Sequence, residues 1–268
     1  MNRSTLIDPN VLKTPGNLVV IDLRPRSDYE VGHAPGAVHL DIAGWTALAL
    51  SPEAPAEEQA LWSAEIGRLG IDGSRPVAVY DSGRITDAAR AWFILQWAGV
   101  DAAVVDGGWP ALRALPGFEA ETTTQTPVPV RYQRPADHTP VVGLVDRHGL
   151  RAQLGGAVQV LDSRSKAEYT GEDLRSNARG GHIPGAHLLS HTALLDARGH
   201  LNAPDVLRRQ FADAGLHAGQ PVVTHCQGGG RAALAALAAL HAGLQDVSVY
   251  YLSFGDWARD DSCPVVKP

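Results

Sequence analysis

The sequence predicts an α/β protein in which a parallel sheet, flanked by helices on both faces, is built twice. Three observations carry that expectation. Short apolar runs alternate with helical stretches along the chain, the pattern of parallel strands buried on both faces. The chain repeats itself, which is the signature of a duplicated unit. Between the copies, residues 119–140 hold Thr122-Thr123-Thr124 and the prolines 127, 129, 135 and 140, the composition of an extended connector.

Taken in order, the first copy is expected to have strands near 18–22, 77–81 and 102–105, with helices near 57–69 and 86–97. The second is expected to have strands near 158–162, 221–225 and 247–251, with helices near 204–214 and 231–242. Leu18-Val19-Val20-Ile21-Asp22-Leu23-Arg24 parallels Val158-Gln159-Val160-Leu161-Asp162-Ser163-Arg164, each a strand ending in Asp-x-Arg. Tyr29 and Tyr169 follow at the same offset, and Gly32-His33-Ala34-Pro35-Gly36-Ala37 parallels Gly181-His182-Ile183-Pro184-Gly185-Ala186. About nine extra residues separate Tyr169 from Gly181 in the second copy. Arg75 to Asp81 parallels Gln220 to Cys226, and Gly107-Gly108-Trp109 parallels Gly255-Asp256-Trp257. The expected organisation is a first domain over 1–120, a linker over 121–140 and a second domain over 141–268.

The chemistry gathers at Cys226. Pro221-Val222-Val223-Thr224-His225 reads as a buried strand, Cys226-Gln227-Gly228-Gly229-Gly230-Arg231 as a loop, and the run from Ala232 to Leu240 as a helix that Gly243 ends. Ligands bind at the carboxyl ends of parallel strands, where this thiol stands. Consecutive glycines let backbone N–H groups converge on an anion, and a helix N-terminus adds partial positive charge. Such a setting favours the thiolate, the nucleophilic form. A lone cysteine is ordinarily a small buried apolar residue, but strand end, thiol, glycines, arginine and helix start together point to a reactive site. Gln227, Gly228, Gly229, Gly230 and Arg231 are expected to bind the substrate, with Arg231, permanently charged, holding its anionic end. Asp81 takes the position of Cys226 in the first copy, and its loop, Ser82-Gly83-Arg84-Ile85-Thr86, lacks the glycine run. That copy is therefore expected to be inert, its nest lost, so that a cysteine at 81 would not make a second site.

Composition narrows the classes. The 268 residues are 44% hydrophobic and 19% charged, with a net charge of −6, which argues against a nucleic-acid partner. Only Cys226 and Cys263 are present, so no disulfide framework is implied. Neither a secretory segment in the first twenty residues nor a membrane span is apparent, and a cytoplasmic location is expected. The cysteines and histidines lack metal-ligand spacing, and Asp106-Gly107-Gly108-Trp109 is not a nucleotide fingerprint, so neither metal nor cofactor is implied.

The Asp-x-Arg strand ends, both Gly-His-x-Pro-Gly-Ala segments, a cysteine loop in the second copy alone and the closing Gly-x-Trp together resemble the tandem-domain rhodaneses, the thiosulfate and 3-mercaptopyruvate sulfurtransferases. The resemblance covers nearly the whole chain. It implies two rhodanese-like domains, the first inactive, and a Cys226 persulfide that takes sulfur from a small anionic donor. The acceptor it implies is cyanide or a thiol, thioredoxin-like proteins included. The Cys-Gln-x-x-x-Arg loop is similar to that of bacterial thiosulfate sulfurtransferases. Glu168 stands where better-known members carry a substrate-binding arginine, which weakens the case for mercaptopyruvate unless Arg175 or Arg179 compensates. Glu168 is expected to repel a carboxylate at the mouth, or to pair with Arg164 or Lys166.

Two other classes compete. Cysteine-dependent phosphatases and arsenate reductases share the His-Cys pair, but their arginine lies one position further on than Arg231, giving a larger nest. A non-catalytic persulfide carrier would share the loop. His225 is expected to point away from the loop, Asp162 and Arg164 to support it as an ion pair, His33, His182, Trp109 and Trp257 to serve the fold, and Cys263 to be incidental in an exposed tail.

Overall fold

The computed structural model describes residues 4–50 and 58–267. Position 57, where a helix is expected to begin, and the chain ends 1–3 and 268 lie outside the described residues. Two compact units result: one reaches Val141 and takes in Ala197–His200, and the other holds Val142–Asp196 and the chain from Leu201 onward.

The first unit contains β1 (Leu6–Ile7), β2 (Val19–Asp22), β3 (Val38–His39), β4 (Val77–Tyr80) and β5 (Ala102–Val105), with helices α1 (Arg26–Val31), α2 (Ile42–Ala49), α3 (Glu58–Arg68), α4 (Thr86–Trp97) and α5 (Gly108–Arg113). The second repeats the plan with β6 (Gly143–Leu144), β7 (Gln159–Asp162), β8 (His187–Leu188), β9 (Val222–His225) and β10 (Val247–Val249), and with α6 (Arg147–Gln153), α7 (Lys166–Thr170), α8 (Pro204–Asp213), α9 (Gly230–His241) and α10 (Ser253–Trp257). Each sheet is parallel and five-stranded, in the orders β1-β5-β4-β2-β3 and β6-β10-β9-β7-β8. The central strands are buried at every residue, the condition for a sheet covered on both faces. The four edge strands are two residues long, too short to leave a periodic trace in the sequence.

The order dictates where a site can form. From β7 the sheet grows outward to β8, and from β9 it grows the other way to β10. The carboxyl ends of β7 and β9 therefore flank the switch point, where such sheets leave a crevice. Asp162 ends β7, and Cys226 follows β9. The helix after Cys226 has no polar middle: Ala232 to Ala239 are all buried, so α9 is held by apolar contact all round.

Cys263 is 1% exposed and belongs to the second core, with Leu150, Val160, Ile183, Tyr250, Phe254 and Trp257, which corrects its expected place in an exposed tail. Trp257 is fully buried, whereas Trp109 is only half-buried against the first core. Residues 121–140 form no helix or strand of their own and pack along the first unit. Glu121 and His33 exchange backbone hydrogen bonds at 2.8 Å, and the Tyr132 hydroxyl donates to the Ala98 carbonyl at 2.8 Å.

Candidate active site

Cys226 is 1% exposed and leaves β9 directly into the glycine run. Its backbone N–H donates to Ser253 Oγ at 3.0 Å, and that oxygen lies 3.8 Å from the Cys226 sulfur. The Ser253 hydroxyl also donates to the Tyr250 carbonyl at 2.8 Å. With one proton to give, it can serve either the carbonyl or the sulfur. Ser253 is fully buried and held at φ 61°, a backbone region costly for a side chain other than glycine's. Gly229, at φ 87°, has a second reason to be glycine: a Cβ there would meet the Tyr251 ring at 2.7 Å.

Ser253 escaped the sequence reading because the repeat is drawn out of register there. The structure pairs Trp109 with Phe254, not with Trp257. The N–H of Trp109 donates to the Asp81 carbonyl at 2.9 Å, and the N–H of Phe254 to the Cys226 carbonyl at 3.0 Å. The Arg24 guanidinium lies 3.8 Å over Trp109, and that of Arg164 3.9 Å over Phe254. Ser253 thus matches Gly108, which is also at positive φ.

Asp162 and Arg164 form a buried, forked ion pair, with contacts of 2.9 and 2.6 Å, and Arg164 also donates to the Gly181 carbonyl. Asp22, Arg24 and Gly32 repeat this arrangement in the first unit. His182 stacks on Tyr169 at 3.7 Å, as His33 does on Tyr29 at 3.9 Å. His225 turns its Nε2 toward Asp162 at 3.6 Å, beyond hydrogen-bond reach. Burial outweighs the nearby Asp162 carboxylate and holds its pKa down to about 4, so the ring is neutral near pH 7. His191 joins the site without having been singled out: it is half-buried, and its Nδ1 meets the Ser163 carbonyl at 3.2 Å. Burial and the Arg231 charge lower its pKa as well.

Arg231 is engaged in a way the sequence did not suggest. Its two terminal nitrogens fork onto Glu168 at 2.7 and 2.9 Å. Glu168 therefore pairs with Arg231, not with Arg164 or Lys166. The Glu168 side chain is almost wholly buried and also closes a capping box with Ser165 at the start of α7. Burial alone would raise its pKa, but the Arg231 and Ser165 hydrogen bonds prevail and hold it at about 2. The other arginines differ in use. Arg179 donates to the carbonyls of Trp257, Ala258, Asp260 and Cys263. Arg175 is half-exposed, with Nε 3.4 Å from Glu168. Gln227 is bound through its amide to Asn177.

The loop after β4 corrects a second expectation, that the first copy has lost its nest. Asp81 is buried, and its carboxylate accepts backbone N–H bonds from Gly83 at 2.8 Å, Ile85 at 3.1 Å, and Asp87 and Ala88 at 3.2 Å. Gly83 at φ 97° and Ile85 at φ 59° complete the turn.

The duplicated sheet, the repeated ion pair and the cysteine at one switch point agree with what comparison finds. A family model described as rhodanese-like domain matches residues 10–115 and again 147–260. The chain belongs to the rhodanese family. It is 31% identical over 259 residues to a putative thiosulfate sulfurtransferase of Mycobacterium tuberculosis, covering 92% of this chain and 89% of that one. It is 27% identical to a 3-mercaptopyruvate sulfurtransferase of Escherichia coli, covering 91% and 86%. In fold it is similar to the crystal structure of a 3-mercaptopyruvate sulfurtransferase from Escherichia coli, with TM-score 0.72, 24% identity and coverage of 94% and 99%. It is also similar in fold to an anaerobic ergothioneine biosynthesis enzyme from Chlorobium limicola, with TM-score 0.81, 22% identity and coverage of 98% and 70%. Among the described residues no group of three or more His, Cys, Asp or Glu could hold a metal ion, and no helix is long and apolar enough to cross a membrane.

Proposed function

We propose that this rhodanese-family sulfurtransferase moves the outer sulfur of thiosulfate to a thiophilic acceptor through a persulfide on Cys226. The observation that carries the reading is a thiol at the carboxyl end of β9, at the switch point, opening a glycine loop that runs into the N-terminus of α9. The Cys226 thiolate attacks the outer sulfur, a new S–S bond forms, and the bond to the sulfonate sulfur breaks with sulfite leaving on its electron pair. Cyanide or a thiolate then attacks the outer sulfur of the persulfide, leaves as thiocyanate or a new persulfide, and restores the Cys226 thiolate. Loop N–H groups and the dipole of α9 stabilise the charge throughout.

The choice of thiosulfate rests on the arginines. Mercaptopyruvate asks for its carboxylate and ketone to be clamped. Arg231 has two of its five N–H groups committed to Glu168, and Arg179 is committed to backbone carbonyls. Compact thiosulfate needs only the N–H groups Arg231 has left and the loop. Arg175, half-exposed beside Glu168, favours a second reading in which mercaptopyruvate is the donor. Comparing kcat/KM for the two donors with cyanide as common acceptor decides between them. Mass spectrometry of Cys226 tests the mechanism: a gain of one sulfur atom from thiosulfate is expected. Phosphate release from an aryl phosphate without any such gain would replace this reading with the phosphatase one, and loading without turnover would make the chain a carrier.

A further inference from the structure

The segment between Tyr169 and Gly181, absent from the first copy, is fastened at several points. The Asp173 N–H donates to the Ala167 carbonyl at 2.9 Å, and the Asn177 N–H to the Leu174 carbonyl at 2.9 Å. Arg179 secures its far end to the carbonyls that follow α10. Its side-chain bonds to the Cys226 loop come from Asn177. The Asn177 amide donates to Gln227 Oε1 at 3.0 Å, and the Gln227 amide donates back to Asn177 Oδ1 at 2.8 Å.

Gln227 is held from the other side too. Its backbone carbonyl accepts the Gly255 N–H at 3.1 Å, and a Cβ on residue 255 would stand 2.8 Å from that oxygen. The residue immediately after the nucleophile is thus clamped between α10 and the inserted segment. In the first copy Ser82 occupies this position, and only two residues separate Tyr29 from Gly32.

We propose that Asn177 is a positioning residue of the sulfur-transfer reaction. It locks Gln227, and through Gln227 it sets the path of the Gly228-Gly229-Gly230 backbone that follows the nucleophile. The Gln227 amide then serves as the loop's anchor and not as a ligand of the donor. A glycine loop needs such an anchor, because three consecutive glycines restrain their own backbone least of all residues. Displacing catalytic groups by an ångström is enough to slow a reaction greatly while leaving binding nearly untouched. The inference rests on the sulfurtransferase reading for its kinetics, but the lock itself is a matter of geometry.

The test uses the full chain with Asn177→Ala, Gln227→Ala, the two together, and the exchange Asn177→Gln with Gln227→Asn. The rate of persulfide formation from thiosulfate is measured beside the rate of Cys226 alkylation by iodoacetamide across pH. Each single alanine should slow persulfide formation roughly tenfold at saturating donor, with the thiosulfate KM changed less than about twofold. The double alanine should be no slower than either single, since the pair acts as one unit. The exchange, which keeps the number of atoms across the gap, should recover most of the rate, and the alkylation profile should shift and recover in step. Wild-type rates in Asn177→Ala overturn the proposal, as does a double variant showing the product of both losses. A raised thiosulfate KM in Gln227→Ala alone overturns it in favour of direct donor binding. If the wild-type chain forms no persulfide from any donor, the functional reading fails instead. The alkylation series then decides the lock by itself: a shift that the exchange reverses supports it, and an unmoved profile overturns it.

Discussion

Two loops leave corresponding strands of the duplicated sheet, one headed by Asp81 and the other by Cys226. Both start at the carboxyl end of a strand beside an Asp-Arg ion pair, and both run into a buried helix. In the first, four backbone N–H groups converge on a carboxylate within its own loop. In the second, the corresponding position holds a sulfur, with the Ser253 hydroxyl at 3.8 Å. The comparison teaches that the anion seat of the first copy has not collapsed: it is filled by the loop's own carboxylate. A carboxylate reaches two bonds past Cβ, as a persulfide would, so the Asp81 side chain fills its loop with an anion that cannot leave.

The heaviest blow to this comparison is Cys226→Ala. Sulfur transfer should fall by on the order of a thousandfold or more, because Asp81 cannot substitute as a sulfur nucleophile. Cys263→Ala should leave turnover unchanged, since its thiol is shut in the core. Assays with cyanide and thiosulfate on both variants check this, and retained turnover in Cys226→Ala would remove the assignment.

Next in size is Arg231→Ala, which leaves the buried Glu168 carboxylate with the Ser165 N–H and Arg175 at 3.4 Å. Breaking a buried pair costs up to about 3–5 kcal/mol, and these partners offset part of it, so urea unfolding of the second unit should shift as well as kcat/KM. Glu168→Gln should be milder in stability. The pH dependence has a defined sign. The Glu168 pKa lies at about 2 in the folded chain, against its ordinary value of 4.5. Its pairing therefore stabilises above pH 4.5, and that stability drains away as pH falls toward 2. Urea midpoints followed downward from pH 5 should show that loss in the wild type, and Glu168→Gln should remove this component.

Asp81 sharpens the comparison most directly. Asp81→Ala strips four N–H groups of their acceptor and should destabilise the first unit by roughly 2–4 kcal/mol, with turnover at Cys226 unaltered. Asp81→Cys should give a chain that takes up two sulfur atoms from thiosulfate, one at each loop. Mass spectrometry that finds only Cys226 loaded would show that Ile85 and Arg84 shape the first nest wrongly for sulfur.

The smallest effect is expected at Ser253. Ser253→Gly relieves the positive φ but leaves the Cys226 N–H without its acceptor and the sulfur without a nearby hydroxyl. A three- to tenfold fall in kcat is expected, about 1 kcal/mol, with Ser253→Ala worse because it keeps the strain. Equal kinetics in all three forms would confine Ser253 to the fold.

By itself the sequence determined the architecture and the place of a thiol at the head of a glycine run. Strand-and-helix alternation, the paired Asp-x-Arg and Gly-His-x-Pro-Gly-Ala segments, and a thiol between a β-branched strand and a glycine run are local signals. Each arises from residues within a few positions of one another, where periodic burial and glycine's freedom are written directly into the chain. Tertiary structure decided who neutralises whom. Arg231 meets Glu168 across 63 positions, Asn177 meets Gln227 across 50, and Trp109 takes the role of Phe254 and not that of Trp257. Backbone direction, which no side-chain pattern reports, turned the Asp81 loop into a filled nest. A buried charge takes the partner that folding brings within about 3 Å, and that partner is set by how strands and loops are stacked in space, not by how far apart they lie along the chain.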